Sequence, residues 1–263
     1  TFNGQGVAGA HPTARILPVR VAGKCGAELR DIVDGMRWAA GLPVSGVPAN
    51  PNPARIVNVS FGGTAACGSA YQEAVNELRA VGAVVVAAAG NQHASTPTRP
   101  ASCTGVVGVV GLNRDGFKAH HSNFGTALSA TGIATVSGDD NQDPTARWNA
   151  LADGGLLSVF NDGTRGPAAP GYALHAGTSF AAPIASSVLS LMLAVNPSLT
   201  ADQLIDGLRR SARPHVVSSQ IAMCADNNPG RCLCSASTCG PGILDAEQAL
   251  VSVGLADRMT HKP

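Results

Sequence analysis

Three short stretches carry side chains that could do chemistry. Ser179 stands in HAGTSFAAP (175–183), between a Gly-Thr turn and a run of small residues ending in Pro183. Pro183 suits the first turn of a helix, where a missing N–H costs little. That helix is expected to stop near Val195, ahead of Asn196-Pro197. Ser179 then sits at or just before a helix N-terminus, where backbone N–H groups and the dipole favour negative charge. A hydroxyl there is either an ordinary N-cap, a role Thr178 could also fill, or a nucleophile. The second stretch is AAAGN (87–91), an apolar run that delivers Asn91 past a glycine. A side-chain amide there could donate to an oxyanion, although asparagine is also a common turn residue. The third is SFGG (60–63), a second run ending in glycines that would leave a groove open to a substrate backbone.

These residues need a scaffold. The chain has 263 residues, enough for one sizeable core. Apolar residues make up 44% and charged residues 13%, which argues against disorder. The net charge is +1 and no Lys/Arg cluster marks a helix, which argues against a nucleic-acid partner. No unbroken apolar run reaches the ~18 residues of a membrane span, so no membrane partner is expected.

Four apolar runs of strand length, 14–21, 54–61, 83–90 and 105–112, read as parallel strands buried on both faces. Helical patterns fall between or after them, at 28–40 and at 70–81, the latter behind a Ser69/Gln72 capping box. Thr200 and Gln203 form a second box ahead of a helix at 201–211. The alternation predicts an α/β fold, a doubly wound parallel sheet with helices on both faces in three layers. Residues 1–263 are expected to form a single domain, with the site at the C-terminal ends of the strands. Residues 113–175 read as a loop-rich excursion rimming the site. Asp139, Asp140, Asn141, Asp143 and Asp162 lie there without the ordered spacing of a calcium loop, and a solvated loop is the plainer reading.

Of the seven cysteines, Cys224, Cys232, Cys234 and Cys239 crowd one stretch. Zinc would have to use Cys232-x-Cys234, which is too tight for the usual spacing, so disulfides and an oxidising compartment are expected. An odd count leaves one cysteine to be explained.

GTSFAAP, preceded in order by SFGG and AAAGN, resembles the subtilisin-like serine proteases. ARILPVRV (14–21), IVDGMRWA (32–39), SNFG (122–125) and GPGILDAEQAL (240–250) resemble further segments of that family in the same order. The resemblance implies a secreted serine endopeptidase, made as a zymogen and acting on peptide and protein substrates. Ser179 would be the nucleophile and Asn91 the oxyanion donor. Ser60, Phe61 and Gly62 would line one wall of the main specificity pocket, and Ala88, Ala89 and Gly90 the other. Gly26 and Ala27 would flank an extended peptide. Asn3 loosely matches the family's calcium loop, so structural calcium is implied. Small residues on both walls leave room for a fairly large apolar side chain.

The family also needs an Asp and a His ahead of the serine. None of the seven histidines has the family's context; His120 and His121 fall where the family has a surface turn, and His175, though close in sequence, lies on the substrate-facing loop. Because TFNGQGVAGA resembles the segment just after the family's catalytic histidine, the Asp and His are expected in a segment preceding Thr1. Cys25, in GKCGAE, matches a turn whose cysteine pairs with that segment in some secreted bacterial members. The remaining expectation is Cys67 with Cys103, and two bonds among the last four cysteines. Ile184 stands where the family usually has a histidine, and LSATG (128–132) where it often has a proline. The α/β-hydrolase elbow G-x-S-x-G is absent, and Lys24, Lys118 and Lys262 offer no nearby base. The alternative is a catalytically inactive peptide-binding domain of the same family, or a cleavage fragment.

Overall fold

A computed structural model describes residues 3–139 and 155–254. In chain order the elements are α1 (Leu29–Ala39), β1 (Ile56–Val59), α2 (Ser69–Ala80), β2 (Val84–Ala88), β3 (Val107–Leu112), β4 (Ile133–Val136), β5 (Leu156–Asn161), β6 (Pro170–His175), α3 (Thr178–Val195), α4 (Ala201–Arg210), α5 (Ala236–Cys239) and α6 (Ala246–Ser252). Strands β1 to β4 form one parallel sheet in the order β1-β2-β3-β4, with Val57 opposite Val85, Ala87 opposite Gly108 and Gly111 opposite Thr135.

The all-apolar run VVVAA makes β2 because side chains alternate between two buried faces. Val84, Val86 and Ala88 meet α3, while Val85 and Ala87 meet the layer of α1 and α2. This is the expected three-layer arrangement. Ala181, Ala182 and Ala185 bring α3 close to the sheet, and all three are fully buried. Among the described residues α3 is also the one helix long and apolar enough to cross a membrane. Its contacts with all four strands make it a core helix instead.

Several elements depart from expectation. Residues 14–21 form no strand: the run has no ladder partner, and Ile16 is 83% exposed. An apolar run becomes a strand only where a ladder partner exists, and none lies beside this one among the described residues. Ser69 is not a cap. The N-cap of α2 is Gly68, and Gln72 instead reaches Thr104, accepting its N–H and donating to its carbonyl, both at 2.9 Å. The Thr200/Gln203 box is present, with both reciprocal bonds. The 113–175 excursion holds β4 and an antiparallel hairpin, β5–β6.

Asp139 is buried rather than solvated: Arg231 donates to it through Nε (2.9 Å) and a terminal nitrogen (2.7 Å). Asp162 is exposed, whereas Asp140, Asn141 and Asp143 lie outside the described residues. Disulfides join Cys67 to Cys103, Cys224 to Cys232 and Cys234 to Cys239, and Cys25 is a free, exposed thiol. The sulfurs of Cys224, Cys234 and Cys239 lie within 4.8 Å of one another, but each is committed to a disulfide.

Candidate active site

Three strand ends converge on three consecutive residues at the head of α3. The N–H of Gly177, its N-cap, donates to Ser137 O just past β4, at 3.0 Å. The Thr178 hydroxyl accepts from Gly90 N, past β2, at 3.2 Å. The Ser179 hydroxyl donates to Ser60 O, past β1, at 2.8 Å. Gly177 has φ 144°, outside the range favoured by residues with a Cβ, which lets the chain turn from β6 into the helix.

Ser179 is thus the second residue of α3, and neither it nor Thr178 is a side-chain cap. The helix begins a turn earlier than its proline suggests: Pro183 is inside it, in the second turn. Having no N–H, Pro183 leaves the Ser179 carbonyl without its usual intrahelical donor.

Asn91 follows Gly90, whose φ is 108°. Its side-chain oxygen accepts two bonds from Thr178, from the backbone N–H at 2.9 Å and the hydroxyl at 2.8 Å. With the oxygen committed, the amide nitrogen is the free end, and it lies 3.4 Å from where a Cβ on Gly177 would be. The Asn91 amide is therefore held at the head of α3 by Thr178, one residue before Ser179.

The two expected walls stand on either side. Ser60, Phe61 and Gly62 continue from β1, and Ala88, Ala89 and Gly90 end β2. A third segment, absent from the sequence reading, ties them together. Thr98 N donates to Ala89 O at 2.8 Å, and Arg99 exchanges backbone bonds with Gly63 at 3.0 and 3.2 Å. The Cys67–Cys103 pairing was the available signal, since it draws the 98–103 segment towards SFGG. Gly26 and Ala27 stand in an exposed run before α1, where the backbone bonds of Gly26 run to Gly23.

The histidine environments are distinct. His175 stacks on Phe180 with centroids 4.9 Å apart and an interplanar angle of 15°. Among the described residues no histidine hydrogen-bonds Ser179. His120 and His121 are half-buried, not on an open surface turn. The His120 ring lies 4.1 Å from that of His93, and burial followed by the His93 charge holds its imidazole below the usual range.

Behind them Lys118 is fully buried, donating to Ala119 O (2.8 Å), Ser122 O (2.7 Å) and His120 O (3.3 Å). Burial drives its ammonium down to about 7, against the upward pull of Asp139. The Asn3 side chain could supply one of the oxygens of a calcium site. Its side-chain oxygen accepts Gln5 N at 3.2 Å, and the remainder of the six to eight oxygens that calcium takes would come from neighbouring groups.

The Subtilase family matches residues 1–237. An extracellular protease of Xanthomonas campestris pv. campestris is 35% identical over 253 residues, 96% of this chain and 38% of that protein. An extracellular basic protease of Dichelobacter nodosus is 38% identical over 217 residues, 80% of this chain and 33% of that protein. The chain therefore spans about a third of the length of these curated relatives. A solved protease from Pseudoalteromonas arctica PAMC 21717 superposes with a TM-score of 0.79 at 37% identity, covering 95% of this chain and 66% of that one. With the parallel sheet, the serine heading α3 and the asparagine beside it, these matches show that the chain belongs to the subtilase family.

Proposed function

We propose that the protein bearing this chain is a secreted serine endopeptidase that cleaves peptide bonds through an acyl-enzyme on Ser179. The carrying observation is the anchoring of Asn91 by Thr178, the residue before Ser179, which commits the side-chain oxygen and leaves the amide nitrogen as its donor end. In this reading the Ser179 oxygen attacks the substrate carbonyl as its proton passes to a histidine. The oxyanion is held by the Asn91 amide and the Ser179 N–H, and the leaving amine takes the proton back. Secretion is supported by the extracellular relatives and by three disulfides.

The histidine, and the Asp that orients it, are assigned to a segment preceding Thr1. Two apolar surfaces that are exposed among the described residues support this. One is a groove of about 1000 Å³ beside the unpaired 14–21 run, bordered by Val19, Met36, Val57, Phe61 and Pro183. The other is the outer face of β5–β6, where Leu157 pairs with Leu174 and Val159 with Tyr172, all four exposed. Gly6 is in close contact with the Tyr172 ring on that face. Cys25, free and exposed, is available to the same segment.

A second reading, a peptide-binding domain without turnover or a cleavage fragment, is favoured by one observation: among the described residues the Ser179 hydroxyl is bonded to a carbonyl and not to a base. Intact mass of native, unreduced full-length protein after fluorophosphonate treatment separates the two. One adduct, lost in Ser179→Ala along with about 10⁶-fold in kcat, is expected; that factor is carried over from subtilisin, a member of the same family. No adduct on folded protein would leave the binding reading.

A further inference from the structure

We propose that His93 and His120 form a two-imidazole site for a divalent transition-metal ion of the zinc class, seated above Gly230. The two rings lie with centroids 4.1 Å apart and planes tilted by 47°. A Cβ built at Gly230 would fall 3.8 Å from His93 Nε2 and 3.8 Å from His120 Cδ2, the carbon bonded to that ring's own Nε2. The Nε2 edges of both imidazoles therefore border one space, and a glycine at 230 leaves that space without a side chain. His93, His120 and Gly230 are all half-buried, so an ion can reach them from solvent. Imidazole nitrogens suit zinc, copper and nickel, whereas calcium and magnesium take oxygen.

The His93 ring is set for ligation. Its Nδ1 lies 2.9 Å from His120 O. A carbonyl only accepts, so Nδ1 carries the proton and Nε2 of the neutral ring keeps its lone pair. A backbone carbonyl on the far nitrogen is a partner that metal-ligating histidines commonly use. His93 also has φ 57°, and it is the one non-glycine residue with a positive φ among the described residues. Such a backbone persists only where its surroundings over-determine it. Here the His93 N–H donates to His121 O at 3.0 Å, beside the ring's bond to His120 O. Neither ring nitrogen of His120 is hydrogen-bonded among the described residues, so that ring can turn onto a shared ion. The third side is pinned as well. Lys118 N donates to Cys232 O at 3.0 Å, and the Cys224–Cys232 disulfide closes the loop that carries Gly230. Each nitrogen would stand about 2.0–2.1 Å from zinc, with two positions of a tetrahedral ion left to water. A ring contact alone accounts for the spacing of the two imidazoles, but not for the space their Nε2 edges share.

The test is calorimetric titration of zinc chloride into full-length protein at constant calcium. One zinc ion per chain should bind, with its Kd raised at least 10-fold in His120→Ala and in His93→Gly. Loss of an outer-shell partner alone costs about 10- to 100-fold in metal affinity, and loss of a ligand should cost no less. Glycine suits the positive φ at 93, so His93→Gly should fold even where an alanine there would not. Zinc should also raise the Tm of the wild type and leave that of both variants unchanged. Magnesium chloride in place of zinc should do neither. A zinc Kd weaker than about 1 mM, binding unchanged in either folded variant, or magnesium binding that matches zinc overturns the proposal and leaves the two rings a plain aromatic contact. Neither measurement needs turnover, so the outcome is independent of the acyl-enzyme reading.

Discussion

Substituting Asn91 separates the two roles that its side chain combines. The oxygen accepts from the Thr178 N–H and hydroxyl at 2.9 and 2.8 Å, while the nitrogen is the proposed oxyanion donor. Thr178 is fully buried. In Asn91→Ala the hydroxyl can rotate to another acceptor, but the backbone N–H at the head of α3 is stranded, at a cost of about 1–3 kcal/mol. Asn91→Asp keeps both acceptor bonds, now charge-assisted, and puts a carboxylate at a helix N-terminus, favourable by about 0.3–1 kcal/mol. Neither variant has an N–H to offer the oxyanion. Both should lose about 10²–10³ in kcat with little change in KM; that magnitude is carried over from subtilisin, of the same family. Denaturant unfolding should show the alanine variant destabilised and the aspartate variant close to wild type. The reasoning fails if the aspartate variant keeps kcat within threefold, or if the alanine variant is as stable as wild type.

Two further perturbations address the frame around the site. Removing the Cys67–Cys103 bond as a double serine variant opens a loop with a sequence separation of 36, worth about 4 kcal/mol on the chain-entropy account. The Tm should fall by roughly 8–16 °C for a chain of this size, and a fall under 3 °C would show that the loop is held by other contacts. For Lys118, burial lowers the pKa from 10.5 to about 7 in the folded protein. The folded state then sheds its proton first, the unfolded chain holds more protons between about pH 7 and 10.5, and stability rises with pH across that window by up to about 1.4 kcal/mol per unit. Lys118→Met, compared by unfolding midpoints at several pH values, should flatten that rise; parallel curves for the two proteins would refute the assignment.

The sheet was legible where strands are buried on both faces, because AVVVAAAG and GVVGVVGL leave no polar position to mislead. The same signal misled at 14–21, where the residues suit a strand but hydrogen bonding needs a neighbour that composition does not report. The opposite failure hid β4 and β5–β6. Ile133–Val136 is too short a run between glycines, and β6 opens on Pro170-Gly171, which reads as a turn. The Ser69/Gln72 box was a correct local pattern that lost to a long-range bond at Thr104. The fold class could be read, and the segments that carry Ser179, Asn91, SFGG and AAAGN could be placed at strand ends and the helix head, because each lies in a contiguous motif. Thr98 could not. Its place depends on pairing with Ala89 on one side and on the pairing of Arg99 with Gly63 on the other, and TPTRP by itself resembles any loop.

The pattern of bonds at the head of α3 bears on how the site is assembled. Gly177, Thr178 and Ser179 are each bonded to a different strand end, and those strands belong to the described sheet. Among the described residues the Ser179 hydroxyl is held by the end of β1, and the Asn91 side chain is held by Thr178, whose hydroxyl is in turn bonded past the end of β2. A base supplied from elsewhere would meet a pre-formed half-site and would have only to displace the Ser60 carbonyl as the acceptor of the Ser179 proton. That exchange is inexpensive, because a neutral hydrogen bond contributes about 1 kcal/mol net. Entropy that would otherwise be lost in ordering the nucleophile is already lost in folding the sheet, which is how a rigid frame lowers a barrier. It follows that fluorophosphonate reactivity, which needs the base, and peptide binding, which needs only the walls, should be separable in this protein.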